Sequence, residues 1–317
     1  FGAYLAYTAA LTGVIYPVVV NWGWSAHGWL SPWTGTEPYL GANGMIDFAG
    51  SGIVHMTGGV AALVGAIFLG PRTGRFSPSG ECIDMPGHSS VLVALGTFIL
   101  WFGWYGFNPV STLAFEYMET AARVAVTTTL GAAAGGVTAL SIHYGFTKSL
   151  DVGPMCNGIL AGLVSITGNC VVIEPWAAAL IGAIGAAIYY GFSALLRKLK
   201  IDDPLDASSV HGACGAWGVI AAGLFAKQKY VLNDYGAEGG ADDYGALYGG
   251  GGKQLGNQIA GVLAIIAWVG FTSSVLFGVL KYAGMLRVPV EEEEVGLDTS
   301  HHGGNAYNFE KELDSKA

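Results

Sequence analysis

Apolar residues run along this chain in long, unbroken stretches, with no alternation of polar and apolar positions. Eight stretches have the length of about 20 residues needed to cross a hydrocarbon core about 30 Å thick. They lie near residues 2–22, 46–70, 90–112, 120–145, 155–173, 176–196, 207–227 and 257–285. A continuous run predicts helices, whereas the strands of an outer-membrane barrel would show a period of two. The pattern therefore predicts an all-α membrane protein, a polytopic bundle whose partner is the lipid bilayer. Residues 1–285 form its transmembrane domain and residues 286–317 a tail.

Composition sharpens this reading. Of 317 residues, 52% are hydrophobic, only 12% are charged and 50 are glycine, and the mean hydropathy is +0.48; an ordinary soluble domain is far less apolar. Glycines four apart, Gly131 with Gly135 and Gly158 with Gly162, let helix backbones approach closely where lipid supplies no hydrophobic drive. The net charge of −9 argues against a nucleic-acid partner. The run "EEEE" at 291–294 reads as a solvated stretch. Cys82, Cys156, Cys170 and Cys214 show no CxxC spacing, so packed thiols are the default and no metal or cofactor is called for.

Basic residues set the orientation. Arg72, Arg75, Lys148, Arg197, Lys198, Lys200, Lys281 and Arg287 flank one set of loops, and Arg123, Lys227, Lys229 and Lys253 the other, the last three beside Asp234, Glu238, Asp242 and Asp243. By the positive-inside rule the first set faces the cytoplasm, which puts both chain ends inside. The first residue is Phe, with no initiating Met or polar lead-in, so the chain is expected to continue something longer.

Two stretches resemble each other. "DFAGSGIVHMTGG" begins at Asp47 and "DASSVHGACG" at Asp206. In each an aspartate opens an apolar run, a Val-His pair follows, and a glycine stands four residues beyond the histidine: His55 with Gly59, His211 with Gly215. An odd number of crossings separates the two, so they run in opposite directions, the signature of inverted-topology repeats with a site near the midplane. At 1.5 Å per residue His55 lies about 12 Å in from the outer end and His211 about 8 Å from the inner end, which allows contact. Within a span an ionisable residue costs on the order of 2.5–3.5 kcal/mol and by default faces a cavity or partner. Matched placement favours function over packing for both histidines. Asp47 and Asp206 sit where a carboxylate caps a helix N-terminus, so a structural and a chemical role stay open for each. His27, His88 and His143 read as structural. "FILWFGWYGFNPVSTL" and "NWGWSAHGWLSPW" are aromatic enough for an interfacial belt or a cation cage, and composition does not separate these.

These segments together resemble the ammonium transporter family. "DFAGSGIVH" is similar to the signature of its fifth helix, "DDPLDASSVHGACG" to that of its tenth, "GWYGFN" to its sixth, and "GLDTSHHGG" to its cytoplasmic tail motif, with the plant and algal branch nearest. The resemblance implies an eleven-helix fold of which this chain carries helices four to eleven, three being missing. It implies a homotrimer in the plasma membrane with a cytoplasmic C-terminus, and ammonium or ammonia as substrate. His55 and His211 match a hydrogen-bonded pore pair, Asp47 an aspartate behind the outer vestibule, Phe107 a pore gate, and Trp24 and Ser111 an ammonium recruitment site. Ser300 stands where a regulatory phosphorylated threonine occurs in plant members. Nothing here calls for an enzyme. An ammonium sensor without net flux, and a membrane haem protein with His55 and His211 as axial ligands, are the competing readings.

Overall fold

The computed structural model describes residues 1–33, 44–236 and 243–304. Glu238, Asp242 and the tail beyond 304, which figured in the charge reading, lie outside the described residues. The chain is helical: α1 Gly2–Trp24, α2 Ser51–Leu69, α3 Ser90–Phe107, α4 Met118–Thr147, α5 Val152–Thr167, α6 Pro175–Lys198, α7 Ser208–Phe225, α8 Gln228–Tyr235, α9 Lys253–Tyr282, and the short tail helices α10 Val290–Val295 and α11 Leu297–His301. Among the described residues the only β-pairing is an isolated bridge between Phe76 and Cys82.

Among the described residues seven helices are long and apolar enough to cross a bilayer. The eighth expected span differs. α5 begins earlier than the apolar run, at a cap where Asp151 accepts the Gly153 N–H at 2.9 Å, and it ends at Thr167. Residues 168–173 continue the apolar run but form a buried turn. Its carbonyls are taken up by other elements: Gly168 O by Phe48 N–H, Cys170 O by the Thr127 hydroxyl, Val171 O by Arg123 and Val172 O by Lys227 N–H. A turn buried in protein can stay apolar because its backbone is satisfied by neighbours.

Glycine contacts hold the bundle together. An added Cβ would lie 2.3 Å from Gly158 O at Gly135, and 2.2 Å from Gly131 O at both Gly162 and Gly182. α4, α5 and α6 thus meet backbone to backbone, as the glycine spacing anticipated. Bulky side chains face outward instead: Phe98, Ile99 and Phe102 of α3 and Phe271 and Val275 of α9 are exposed, as on a surface that meets lipid or other apolar chains.

At the end of the bundle carrying Arg72, the loops and tail interlock. Asp202 accepts from Arg72 Nε at 2.8 Å and Nη2 at 3.0 Å, with Arg75 Nε at 3.3 Å. Glu293 accepts the Thr73 N–H at 2.8 Å and pairs with Arg287 at 2.8 Å. Burial pushes the Asp202 carboxyl up, but the hydrogen bonds and charge of Arg72, with Arg75, outweigh it and leave the group below the usual range. The backbone N–H of Thr73 likewise lowers Glu293. Ser300 is exposed on α11 and donates to Gly296 O at 3.0 Å.

Candidate functional site

α2 and α7 cross antiparallel at backbone contact. A Cβ at Gly59 would lie 2.0 Å from the Gly212 nitrogen, one at Gly215 3.0 Å from the Met56 nitrogen, and one at Gly218 2.5 Å from Ser51 Oγ. The contact is reciprocal: in each helix the glycine four residues after the histidine meets the residue that follows the other histidine. Both helices also open with a wide turn, Ser51–Met56 and Ser208–Ala213, each containing its histidine. In α2 the turn arises because Gly50 O accepts both Val54 N–H at 3.1 Å and His55 N–H at 3.0 Å. Gly50 itself has φ +106°, a region open to glycine at little cost. Such turns inside helices are frequent at functional sites, where they re-aim a side chain.

The crossing brings His55 and His211 together. Their Nδ1 atoms are 3.3 Å apart and the rings stack at 5.3 Å. Trp104 lies parallel to His55 at 5.1 Å and Phe107 at 5.5 Å, while Trp104 Nε1 is anchored on Thr167 Oγ1 at 2.9 Å. In a hydrogen bond between two neutral imidazoles one Nδ1 donates and the other accepts. The two Nε2 atoms then have opposite characters, one a bare acceptor and one an N–H donor. His55 Nε2 is buried and has no hydrogen-bond partner among the described residues. Direct contact also argues against axial haem ligation by this pair: two nitrogens on opposite faces of an iron stand about 4 Å apart, with a macrocycle between their rings.

Asp47 caps α2: its Oδ2 accepts the N–H groups of Gly52 at 2.9 Å and Ile53 at 2.8 Å. It is only 3% exposed, so it acts on the backbone behind the site and is shielded from open water. Trp24 Nε1 donates to the Asp47 carbonyl at 2.8 Å, which joins the end of α1 to that segment. Ser111 donates to Phe107 O at 2.7 Å, one turn beyond the ring that stacks on His55.

Asp206 does not cap the α7 N-terminus with its carboxylate as expected, although its backbone carbonyl accepts the Val210 N–H at 2.8 Å. Its carboxylate turns toward α5 and α6, where it accepts from Ser193 Oγ and from Asn157 Nδ2 at 3.2 Å. The backbone of Asp206 has φ +54°. Asp203 supplies the cap instead, accepting from Ala207 N–H at 3.0 Å and Ser208 N–H at 2.8 Å. Asp203 stands eight residues before His211, as Asp47 stands eight before His55; counting that interval would have identified the counterpart. Trp104 was also legible, since positions 104 and 107 share a helix face. Gln254 and Gln258 of α9 are fully buried; the signal was a glutamine inside the 257–285 apolar run with a second one turn before it.

The sequence profile described as the Ammonium Transporter Family matches residues 1–307. Ammonium transporter 1 member 1 of Oryza sativa subsp. japonica is 48% identical over 328 residues, covering 98% of this chain and 64% of that protein. Its namesake in Arabidopsis thaliana is 46% identical, with the same 98% and 64% coverage. This chain thus spans just under two thirds of the length of these relatives. Among solved structures, Saccharomyces cerevisiae Mep2 superposes with a TM-score of 0.81 at 31% identity, over 98% of this chain and 66% of that one. A structure described as a sensor Amt protein has a TM-score of 0.81 at 34% identity, over 95% and 70%.

Proposed function

We propose, from the premise that this chain belongs to the ammonium transporter family, that it conducts ammonium across a membrane through a passage containing His55 and His211. The observation that carries this reading is the imidazole pair, Nδ1 to Nδ1 at 3.3 Å, enclosed by Trp104 and Phe107 where α2 and α7 cross. Ammonium has about the size and charge of potassium, so selection must use its hydrogen bonds or its titratable proton. An aromatic site with a hydroxyl, here Trp24 and Ser111, suits recruitment of the cation. Phe107 is the gate beyond it. Asp47 supports both by holding the backbone behind them. An apolar passage rejects hydrated ions, so ammonia crosses as the neutral molecule and the proton takes a separate route. The paired imidazoles suit that route because their outer nitrogens offer one acceptor and one donor at any instant.

The antiparallel crossing, with its reciprocal glycine contacts, supports descent of α2 and α7 from inverted repeats. The assembly we propose is a homotrimer in the plasma membrane with the Arg72 end and the tail in the cytoplasm. There Ser300, exposed on α11, is the candidate phosphorylation site, since a new dianion two residues from Asp298 and next to His301, which pairs with Glu292, would disturb tail docking.

The test is ammonium-driven current and flux in liposomes. Replacement of His55 or His211 by alanine is expected to abolish selective, electrogenic ammonium transport. Wild-type currents with full discrimination against potassium in both variants would refute the reading. Likeness to a sensor Amt protein keeps an ammonium sensor as the second reading, and folded, ammonium-binding protein without flux would favour it.

A further inference from the structure

The stretch Gly44–Gly50 is not helical, although it leads directly into α2 and carries Asp47. Irregular backbone inside a membrane protein persists only where neighbours satisfy its polar groups. Its hydrogen bonds go to four separate elements. Met45 N–H donates to Leu30 O at 2.7 Å, Phe48 N–H to Gly168 O at 2.9 Å and Ala49 N–H to Thr167 O at 3.1 Å. Trp24 supplies a donor to Asp47 O. Residue 46, immediately before Asp47, is held entirely by one side chain of α9. Gln258 Oε1 accepts the Ile46 N–H at 2.8 Å, and Gln258 Nε2 donates to Ile46 O at 2.7 Å. A single amide thus grips both backbone groups of Ile46, as a neighbouring strand would.

The same amide reaches α7. Its Nε2 also donates to Val219 O at 2.8 Å, and its Oε1 also accepts from Gln254 Nε2 at 3.1 Å. Gln254 in turn donates to Gly44 O at 3.0 Å. Two donors and two acceptor sites are all that a primary amide offers, and all four are used. Gln258 is 0% exposed, so losing its amide leaves the N–H and carbonyl of Ile46 unsatisfied away from water. Of the two neighbours that grip residues 46 and 47, Gln258 and Trp24, Gln258 is the one that also bonds to α7, the helix of His211.

The geometry points to Gln258, backed by Gln254, as the positioning residue of the recruitment site: it sets where Asp47 and the carbonyl bound by Trp24 sit relative to α7. This rests on the proposed ammonium function for its transport readout. Gln258→Met keeps the length and apolar volume and removes every hydrogen bond. It is expected to raise the KM for ammonium about tenfold while maximal flux per folded molecule falls less than threefold. In an Asp47→Asn background the same change is expected to add nothing further, because Gln258 acts through the segment that Asp47 occupies. Amide exchange of residues 44–53 is expected to accelerate at least tenfold, with α4 unchanged.

An unaltered KM, with flux lost only in proportion to folded protein, overturns the proposal, as do independent, multiplying effects with Asp47→Asn. If Gln258→Met fails to fold, Gln254→Leu removes only the Gly44 and Gln258 contacts and is expected to raise KM about threefold; no change in KM there overturns the proposal equally. Should the wild-type protein show no ammonium flux, the functional reading fails, and the exchange measurement still decides the positioning.

Discussion

Replacing Gly59 with alanine should break the contact on which the histidine pair depends. The added Cβ would sit 2.0 Å from the Gly212 nitrogen and 2.6 Å from the His211 carbonyl carbon, whereas ordinary contact begins at 3.4 Å. Both obstacles are backbone, so no side chain can swing aside. α2 and α7 must separate by about 1.4 Å, or α2 must turn by an equivalent amount, at an overpacking cost on the order of 1–3 kcal/mol. The His55 and His211 nitrogens begin at 3.3 Å. A displacement of even half that size takes them to about 4 Å, beyond hydrogen-bond reach. Ammonium current in liposomes should fall by more than tenfold, and the unfolding temperature in detergent should drop. Gly58, its neighbour, supplies the control, because a Cβ there meets nothing within 4 Å. Gly58→Ala should leave flux unchanged and stabilise α2 by up to about 1 kcal/mol through helix propensity. Full flux and unchanged stability in Gly59→Ala would refute the claim that this glycine sets the spacing of the pair.

Two further outcomes follow from the packing and the charges. Gly168→Ala would place a Cβ 2.4 Å from Asp47 Oδ1, a buried atom of a carboxylate whose Oδ2 is held by the Gly52 and Ile53 N–H groups; thermal unfolding and ammonium KM should show a loss on the order of 1–3 kcal/mol and a weakened site, and neither changing would contradict the placement of Asp47. Asp202→Asn tests the interlock at the Arg72 end. The folded carboxyl titrates below its usual value, so its contribution is fully present above the unfolded pKa of about 3.9 and is lost as pH falls through the folded value. The variant should be less stable than wild type near pH 7 by up to about 1 kcal/mol, the Arg72 side chain being 37% exposed. That gap should close as pH drops below about 4, and a gap constant from pH 3 to 8 would count against the ion pair.

The spans, the histidine pair and the glycine contacts were legible because each leaves a local mark. A helix in lipid needs a continuous apolar run, an imidazole inside one is costly enough to need a reason, and backbone contact between helices needs glycine. The end of α5 was not legible, because a turn buried by Phe48, Thr127, Arg123 and Lys227 is as apolar as a helix. The place of the Asp206 carboxylate was not legible for a related reason. Composition shows that a carboxylate stands near a helix start, but the chain's path at φ +54° sends that one to Ser193 and Asn157 and leaves the cap to Asp203.

The sequence by itself thus determined a helical membrane bundle, its family resemblance and the residues that had to find partners. Only the tertiary structure decided which partners they found. Hydrophobic pattern reports how far each position stands from water, and that quantity is a property of single residues. The pairing of His55 with His211 across 156 positions, and the grip of Gln258 on Ile46 across 212, depend on how deep each helix sits against its neighbours. That register is set by backbone contacts and satisfied hydrogen bonds, which exist only when the whole bundle is assembled.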